Sequence, residues 1–336
     1  MRLHHAFITA PLLLATVTSL VACSSSSNAD KTSTSASTAG TSSTSADATA
    51  STSASTTSSG TNAIVNSWKP STIDPTKLPI GDTFVSTTEG GVGKLWSCSA
   101  GNPNAPGATA DGPWINADGT TWDATSKLAV KGSVSWPTAK YSETLTDSTR
   151  VLTSNGIPVK NVTGTFPIAA DDPAYQYDRN PGTIQADDLT LTLPRNPTVA
   201  DTPSCVDFAT MGMLKNGVAI FNPLDGQGRD GVARELQDVC DGHPARTQYH
   251  YHAIPSCLLD AATGSSTVVG FVLDGFPLVV ERDAQGNLPS NADLDECHGR
   301  TSPILLDGKV VTTYHYSATL EFPYVVGCYK GTPTDG

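Results

Sequence analysis

The densest set of chemically versatile side chains lies in residues 240–257 of this 336-residue chain. At its centre tyrosine and histidine alternate from Tyr249 to His252. In an extended strand alternate side chains share a face, so His250 and His252 would lie on one face and the two tyrosines on the other. Imidazoles two residues apart lie about 6–7 Å from each other, which suits two ligands of one metal ion or two partners of one acid.

The remaining candidate ligands lie in the same half of the chain. A neutral imidazole is a common ligand of zinc and copper, and a ligating histidine usually gives its other N–H to a carboxylate or a carbonyl. We therefore predict a zinc or copper site whose ligands, in order of expectation, are His250, His252, His243, His315 and His298. The aspartates expected to support these ligands are Asp241, Asp274, Asp293 and Asp295.

Calcium is a weaker expectation, based on the acidic stretch that precedes His298. Its oxygen donors would be Asn291, Asp293, Asp295 and Glu296. Their alternation resembles a cation-binding loop, but the stretch lacks the glycine and the distal glutamate of an EF-hand.

Two further functions fit the same residues. An extracellular hydrolase could use an imidazole beside an aspartate as general base, with a metal-bound water as nucleophile. The sequence contains neither Gly-x-Ser-x-Gly nor His-Glu-x-x-His, so serine esterase and ordinary zincin chemistry have no sequence support. Alternatively, a non-catalytic structural or surface-binding module would use the histidines and tyrosines to fill its core. Whether the chain is an enzyme stays open at this point.

The first 22 residues are typical of a secretory signal, with Arg2 followed by an apolar run and small residues. Residues 20–23, Leu-Val-Ala-Cys, resemble a bacterial lipobox and predict lipidation of Cys23; the alternative is an ordinary signal peptide. Only about 12 apolar residues are contiguous, too few for a membrane-spanning helix. Residues 23–62 are almost entirely Ser, Thr, Ala and Gly, a composition typical of a disordered stalk.

These features predict an exported protein that is lipid-anchored to the cell envelope, at the outer membrane or the cell surface. The net charge of −12 argues against nucleic acid and anionic lipid as partners. The lipid anchor is then the only expected contact with a membrane, and the sequence indicates no particular protein partner.

Apart from Cys23, the chain has an even set of cysteines, which in an exported protein favours disulfides. Six cysteines allow many pairings, and the sequence alone does not choose among them. Our working pairing is Cys98–Cys205, Cys240–Cys257 and Cys297–Cys328. A Cys/His zinc site would need thiolates that persist in an oxidising compartment, and the sequence has no Cys-x-x-Cys pair.

Helix signals are scarce while Gly, Pro, Thr and Val are plentiful, which favours strands joined by turns. We predict a mainly β, antiparallel, sandwich-like ectodomain with few short helices and with disulfide bonds, in an N-terminal part (63–203) and a C-terminal part (204–336). The predicted strands are residues 127–136, 141–146, 150–154, 188–193, 218–221, 248–253, 267–273, 278–281 and 310–321. The best helix candidate is short, residues 231–239, where apolar residues recur at spacings of four and three.

Several long motifs occur in a fixed order along the chain. They are Trp96-Ser97-Cys98, Asp111-Gly112-Pro113-Trp114, Tyr177-Asp178-Arg179-Asn180-Pro181, Gly228-Arg229-Asp230, Asp241-Gly242-His243-Pro244, Tyr249-His250-Tyr251-His252, Asp274-Gly275-Phe276, Ala292 to Gly299 and Phe322 to Cys328. Together they resemble the YHYH protein family over about residues 96–331. The resemblance implies an exported, often lipid-anchored protein with this histidine and tyrosine set at its centre. It implies no defined activity.

The chain departs from this family at three places. Many members repeat a full Tyr-His-Tyr-His, whereas this chain has Tyr-His-Tyr-Ser at residues 314–317. Arg234 and Arg300 stand where the resemblance leads us to expect histidine. Each departure removes a possible metal ligand.

Overall fold

A computed structural model describes residues 64–69 and 73–335. These residues belong to one compact unit, Gly60–Gly336. The predicted signal peptide, the lipidation site at Cys23 and the predicted stalk lie outside the described residues. Within the described ranges, no helix combines the length and the apolar character needed to span a membrane.

The described residues form a mainly β structure, as predicted. The strands are β1 (Leu78–Pro79), β2 (Val85–Ser86), β3 (Leu95–Trp96), β4 (Thr121–Trp122), β5 (Tyr141–Leu145), β6 (Thr149–Ser154), β7 (Leu189–Pro194), β8 (Thr210–Leu214), β9 (Ala219–Phe221), β10 (Gly242–Ala245), β11 (Gln248–Tyr251), β12 (Ser266–Val272), β13 (Pro277–Glu281), β14 (Gly299–Leu306) and β15 (Lys309–Ser317). The α-helices are α1 (Gly231–Arg234) and α2 (Ser256–Leu259), and 3-10 turns cover Gly81–Thr83, Pro173–Gln176 and Asn291–Asp293.

One predicted strand, residues 127–136, is wrong. This segment makes only isolated bridges, from Val130 to Asp238 and from Val134 to Thr163. Between them the N–H of Lys131 donates to the Asp172 carboxylate at 2.8 Å. The backbone bonds of the segment therefore go to separate partners, and no continuous ladder forms. Strands β1 to β4, β8, β10 and β14 were not predicted.

The predicted helix is much shorter than residues 231–239, because α1 ends after one turn. Glu235, at its C-cap, already has extended backbone angles, with ψ 148°. The next N–H, that of Leu236, donates to the Asp178 carboxylate at 3.0 Å instead of to the preceding turn. A side-chain acceptor from another segment thus ends the helix.

The largest sheet has eight strands in the order β10-β11-β9-β8-β12-β13-β15-β14. In the first half β8 and β9 pair antiparallel, β11 joins β9 in parallel, and β10 joins β11 antiparallel. In the second half β12 and β13 pair antiparallel, β15 joins β13 in parallel, and β14 joins β15 antiparallel. The two halves repeat one arrangement, and the antiparallel pair β8 and β12 joins them.

The register at this central pair repeats as well. Met213 lies opposite Phe271, while Gly212 and Gly270 lie opposite Val272 and Leu214. A Cβ at Gly212 would come within 2.2 Å of the Phe271 carbonyl oxygen, and one at Gly270 within 2.6 Å of the Met213 carbonyl oxygen. Both hairpins shift register just before their glycine. Only glycine fits this close approach of the two strands.

A three-stranded sheet of β5, β6 and β7 forms a second layer. Its buried residues Leu152, Leu191 and Leu193 belong to the same hydrophobic core as Met213 and Phe271 of the large sheet. The two layers thus bury a shared apolar interior, which agrees with the sandwich-like prediction.

A smaller core packs around the buried Trp114 and includes Ala233 and Leu236. The indole N–H of Trp114 donates to the Ala233 carbonyl at 2.8 Å. This core therefore fixes α1 and the chain that follows it.

The three predicted disulfides are confirmed: Cys98–Cys205, Cys240–Cys257 and Cys297–Cys328. The second and third attach the loops that precede β10 and β14 to other parts of the fold. Both loops lead directly into the histidine-bearing hairpins.

Candidate metal centre

Three buried histidines converge on one point at the edge of the large sheet. His243 on β10 and His250 on β11 are direct cross-strand partners, and His252 follows the end of β11. The Nε2 atom of His252 lies 3.1 Å from Nε2 of His243 and 3.1 Å from Nε2 of His250. The three residues are only 2%, 2% and 4% exposed in the order His243, His250, His252.

The tight turn before β10 depends on one buried carboxylate. Asp238 Oδ1 accepts the N–H groups of Cys240 at 2.9 Å and Gly242 at 3.2 Å. Its Oδ2 accepts the hydroxyl of Tyr249 at 2.9 Å. A Cβ at Gly242 would lie 2.2 Å from that hydroxyl oxygen, so the position requires glycine. The tyrosine face of β11 thereby fixes the hairpin whose opposite face carries the histidines.

The second tyrosine of β11 is anchored in the core. The hydroxyl of Tyr251 accepts the side-chain N–H of Asn216 at 3.1 Å, and the rings of Tyr249 and Tyr251 meet edge to face at 5.4 Å. The alternation of faces expected for an extended strand is therefore present. Phe221, on the neighbouring β9, stacks on His250 at 4.1 Å and closes the histidine side.

A fourth possible metal ligand, the carboxylate of Glu235, was not predicted. Its Oε2 atom lies 3.4 Å from Nε2 of His252 and 3.6 Å from Nε2 of His243. That oxygen is buried and accepts no hydrogen bond from the described part of the chain. Asp230 caps α1 by accepting the N–H of Ala233 at 3.1 Å, so α1 delivers the carboxylate to the rings.

The contacts of the other ring nitrogens settle two of the tautomers. His252 Nδ1 lies 2.5 Å from the Asn222 carbonyl oxygen, and His250 Nδ1 lies 3.2 Å from the Gln248 carbonyl oxygen. A carbonyl can only accept, so both Nδ1 atoms carry a proton, and in the neutral form of each ring Nε2 presents a lone pair. Two lone pairs therefore face each other at 3.1 Å.

The environment keeps the rings of His243 and His250 uncharged. Burial lowers the pKa of His243 and of His250 well below the usual histidine value, and the neighbouring imidazoles lower both further. A neutral imidazole with a free Nε2 is the form that binds a metal ion.

The distances match a tetrahedral ion. With zinc–ligand bonds of about 2.0–2.1 Å, the edges of the ligand tetrahedron measure about 3.3–3.4 Å. Four of the six separations between the ligand atoms are 3.1, 3.1, 3.4 and 3.6 Å, and the three histidine nitrogens all lie within 4.8 Å of one another. His243, His250 and His252 form a group that could hold a metal ion, and Glu235 faces the same point.

The two other predicted ligands lie in different surroundings. His315 is fully buried, and its Nε2 lies 3.1 Å from Oε2 of Glu281. Nε2 of His298 lies 3.1 Å from the Thr319 hydroxyl, and burial lowers the pKa of His298 to about 3. His298 sits in a turn with a positive φ of 70°, a conformation that directs it away from the strand face.

The four predicted supporting aspartates bind other groups. The acceptors and their donors are Asp241 with the N–H of Ser256, Asp274 with the Tyr316 hydroxyl, Asp293 with Ser290, and Asp295 with the Tyr314 hydroxyl. Backbone carbonyls accept the Nδ1–H groups of His250, His252 and His315 instead. In the acidic stretch proposed for calcium, Glu296 pairs with Lys330 at 2.7 Å.

Sequence reasoning missed both glutamates that face histidines. Glu281 carried a usable signal, since it is the one charged residue that ends the apolar strand β13. Glu235 carried none, because only the early end of α1 and the Trp114 core bring it to the rings.

A comparison with protein families found that residues 190–288 match the family described as YHYH protein. The matched segment includes β8 to β13, Glu235 and the three clustered histidines, and it confirms the resemblance inferred from the motifs. No curated protein and no solved structure was found to match this chain.

Glu281→Gln tests the buried pair around His315. Burial raises the pKa of Glu281, but His315 and Arg300 beside it lower the value to about 2. Because the pKa is depressed on folding, the stabilisation is complete above about pH 4.5 and is lost as pH falls toward 2. We expect a loss of about 3–5 kcal/mol at neutral pH, from leaving Arg300 unpaired.

Urea unfolding of the original protein and of Glu281→Gln between pH 7 and pH 3 measures this loss of unfolding free energy. The difference in unfolding free energy should shrink below about pH 4.5. Glu296→Gln is the control, because its carboxylate is 43% exposed and pairs with Lys330 at the surface. That change should cost about 0–1 kcal/mol. A constant difference for Glu281→Gln across the range would contradict the assignment.

Proposed function

We propose that this protein, which carries a domain of the YHYH protein family in residues 190–288, binds one zinc ion through His243, His250, His252 and Glu235. The observation that carries the proposal is the pair of Nε2 lone pairs of His250 and His252, which face each other at 3.1 Å. Buried acceptors that face each other repel unless a cation lies between them. The buried, donorless Glu235 oxygen beside them supplies a negative charge for that cation.

The donor set favours zinc over the other candidate metals. Three nitrogens and one oxygen at tetrahedral separations suit Zn²⁺, whereas Cu²⁺ prefers a tetragonal plane and Ca²⁺ prefers six to eight oxygens. Carbonyl oxygens that accept both Nδ1–H groups also orient His250 and His252 as ligands usually are oriented.

The shape of the site favours a closed centre over the hydrolytic one. A catalytic zinc site keeps one coordination position for water, whereas a structural site fills all four with protein ligands. Here four protein donors face one point, and Phe221 covers His250. We therefore propose that the ion stabilises the fold. The exported domain would bind its zinc ion once and then retain it.

The first test is elemental analysis of the untagged domain, residues 62–336, produced through an oxidising compartment. We expect about one zinc ion per chain, and less than a tenth of that in the His250→Ala/His252→Ala variant. Zinc should also raise the thermal midpoint of the original protein only, since a ligand stabilises the state that binds it.

The matched control is His298→Asn, which removes a buried histidine outside the cluster. Asparagine tolerates the positive φ of 70° at this position, so the turn should persist. This variant should keep its zinc. Equal metal content in the original protein and the double variant would refute the site.

Glu235→Gln tests the fourth ligand. The amide keeps the volume but removes the charge, so zinc affinity should fall by at least about 10–100-fold, the loss usual even for partners of ligands. Competition with a chromogenic chelator measures it. Glu89→Gln, at an exposed position, should leave affinity unchanged. Unchanged affinity in Glu235→Gln would reduce the site to three histidines.

We further propose that the protein is exported and attached to the cell envelope through a lipid on Cys23. Three disulfides support export, since such bonds persist in oxidising compartments. The lipobox-like residues 20–23 support the anchor.

Replacing Cys23 tests the anchor. Cells expressing the original chain should incorporate labelled palmitate into it, and the protein should sediment with membranes. Cys23→Ala should abolish labelling and move the protein to the soluble fraction, because the acceptor thiol is gone. Palmitate labelling that persists in Cys23→Ala would contradict the proposal.

A further inference from the structure

The turn that supports the zinc site has a counterpart in the second half of the sheet. Asp295 Oδ1 accepts the N–H groups of Cys297 at 3.0 Å and Gly299 at 3.1 Å. Asp238 accepts from a cysteine and a glycine at the same relative positions. The residue before each glycine has a positive φ, 59° at Asp241 and 70° at His298. The two turns are the same structure.

The tyrosine face repeats too. Tyr314 donates to Asp295 at 3.0 Å, as Tyr249 donates to Asp238. Tyr316 bonds Asp274 at 2.5 Å, at the end of the β12–β13 hairpin, as Tyr251 bonds Asn216 at the end of the β8–β9 hairpin. The rings of Tyr314 and Tyr316 again meet edge to face at 5.4 Å.

On the opposite face the positions match but the residues differ. Arg300 lies across from His315, as His243 lies across from His250. Ser317 then occupies the position of His252. The ring of His315 is also held in the same way, since its Nδ1 lies 3.2 Å from the carbonyl two residues earlier, as in His250.

A carboxylate completes this second cluster as well. Glu281 Oε2 lies 3.1 Å from His315 Nε2 and 2.6 Å from the Ser317 hydroxyl. Arg300 binds the same carboxylate with two nitrogens, Nε to Oε2 at 3.1 Å and Nη2 to Oε1 at 2.7 Å. Glu281 thus faces the three positions that correspond to the zinc ligands, although it comes from a strand and Glu235 from a helix end.

We propose that the sheet carries two copies of one cation site, and that in the second copy the guanidinium of Arg300 takes the place of the metal ion. This inference rests on the proposed zinc site for the identity of the cation. Arg300 supplies the positive charge that Glu281 requires, and Arg300 and Ser317 stand at two of the four ligand positions. Of the two copies, only the first therefore takes up a metal ion.

Arginine also gives the second copy a contact that a metal ion cannot make. Its guanidinium lies 4.3 Å from the centre of the Trp68 ring, and its Nη2 donates to Asn66 Oδ1 at 3.0 Å. Asn66 in turn donates to the carbonyl of Ser265 at 2.6 Å. A planar cation can stack on an aromatic ring and form a bidentate pair at once. The second copy thus holds the N-terminal segment Ile64–Lys69 on the domain.

Restoring the two ligands tests the proposal. Arg300→His/Ser317→His, together with His315 and Glu281, recreates the donor set of the first copy. After incubation with zinc and removal of unbound metal, we expect about two zinc ions per chain against one in the original protein. In the His250→Ala/His252→Ala background, the same pair of changes should raise the content from less than a tenth to about one.

The His250→Ala/His252→Ala background distinguishes a failure of the proposed zinc site from a failure of the proposed second copy. Zinc in the restored copy without zinc in the original chain would refute the first site and support the second. Arg300→Ala/Ser317→Ala is the matched control, since it removes the guanidinium without adding ligands, and it should bind no additional zinc.

Two results would overturn the inference. One is a folded restored variant, judged by circular dichroism, with no additional zinc in either background. The other is a restored variant that stays unfolded even in excess zinc, because a complete ligand set should replace the ion pair and rescue the fold.

Discussion

Each half of the large sheet faces a glutamate with a buried carboxylate oxygen, on a side chain that is 13% exposed at Glu235 and 0% at Glu281, and a carboxylate away from water needs a positive partner. Glu281 has Arg300 and His315 beside it. Glu235 has imidazoles in contact and the buried ammonium of Lys127 close enough to interact with it electrostatically, and the Nδ1 contacts of His250 and His252 turn both Nε2 atoms toward the same point. The same requirement, neutralising a buried carboxylate beside a β-sheet, thus applies to both clusters. In one cluster an arginine meets it, and in the other the proposed metal ion would.

The two faces of the Tyr-His-Tyr-His strand have different roles. On the tyrosine face, the first tyrosine hydroxyl of each strand donates to an aspartate that also accepts a glycine N–H of the turn, Asp238 in one half and Asp295 in the other. That network ties each hairpin to a glycine turn, and it is the same in both halves. On the histidine face the residues differ between the halves. We infer that the tyrosines of this motif serve the fold and that its histidines serve the chemistry.

Much of the fold could be predicted from local patterns. Turn dipeptides and β-branched runs located β5 to β7 and β11 to β13, and an even cysteine count in an exported chain indicated disulfides. What failed depended on distant partners: the Asp178 carboxylate ends α1, and scattered acceptors divide residues 127–136. β8 was missed because Gly212 weakens the strand pattern, although the central strand pair requires that glycine.

The site, like the fold, was predictable only where local patterns decide the structure. Alternation put His250 and His252 on one face, and His243 was a candidate only as a nearby histidine, since its pairing with His250 was not predicted. Asp241 and His298 occupy equivalent turn positions, which no single-strand pattern reveals. Glu235 required knowledge of where α1 ends. The motif therefore located the cluster, and tertiary contacts completed it.

The attachment of Ile64–Lys69 has a mechanical consequence. Side-chain contacts hold this segment, among them Asn66 to Ser265 and Trp68 to Asn287, with no strand ladder. Tension applied through the preceding chain would break such contacts one after another at low force. The Cys98–Cys205 bond is the first covalent stop. Released as far as Lys69, the six residues of this segment would lengthen the tether by on the order of 20 Å while the sheet and its histidine cluster stayed folded.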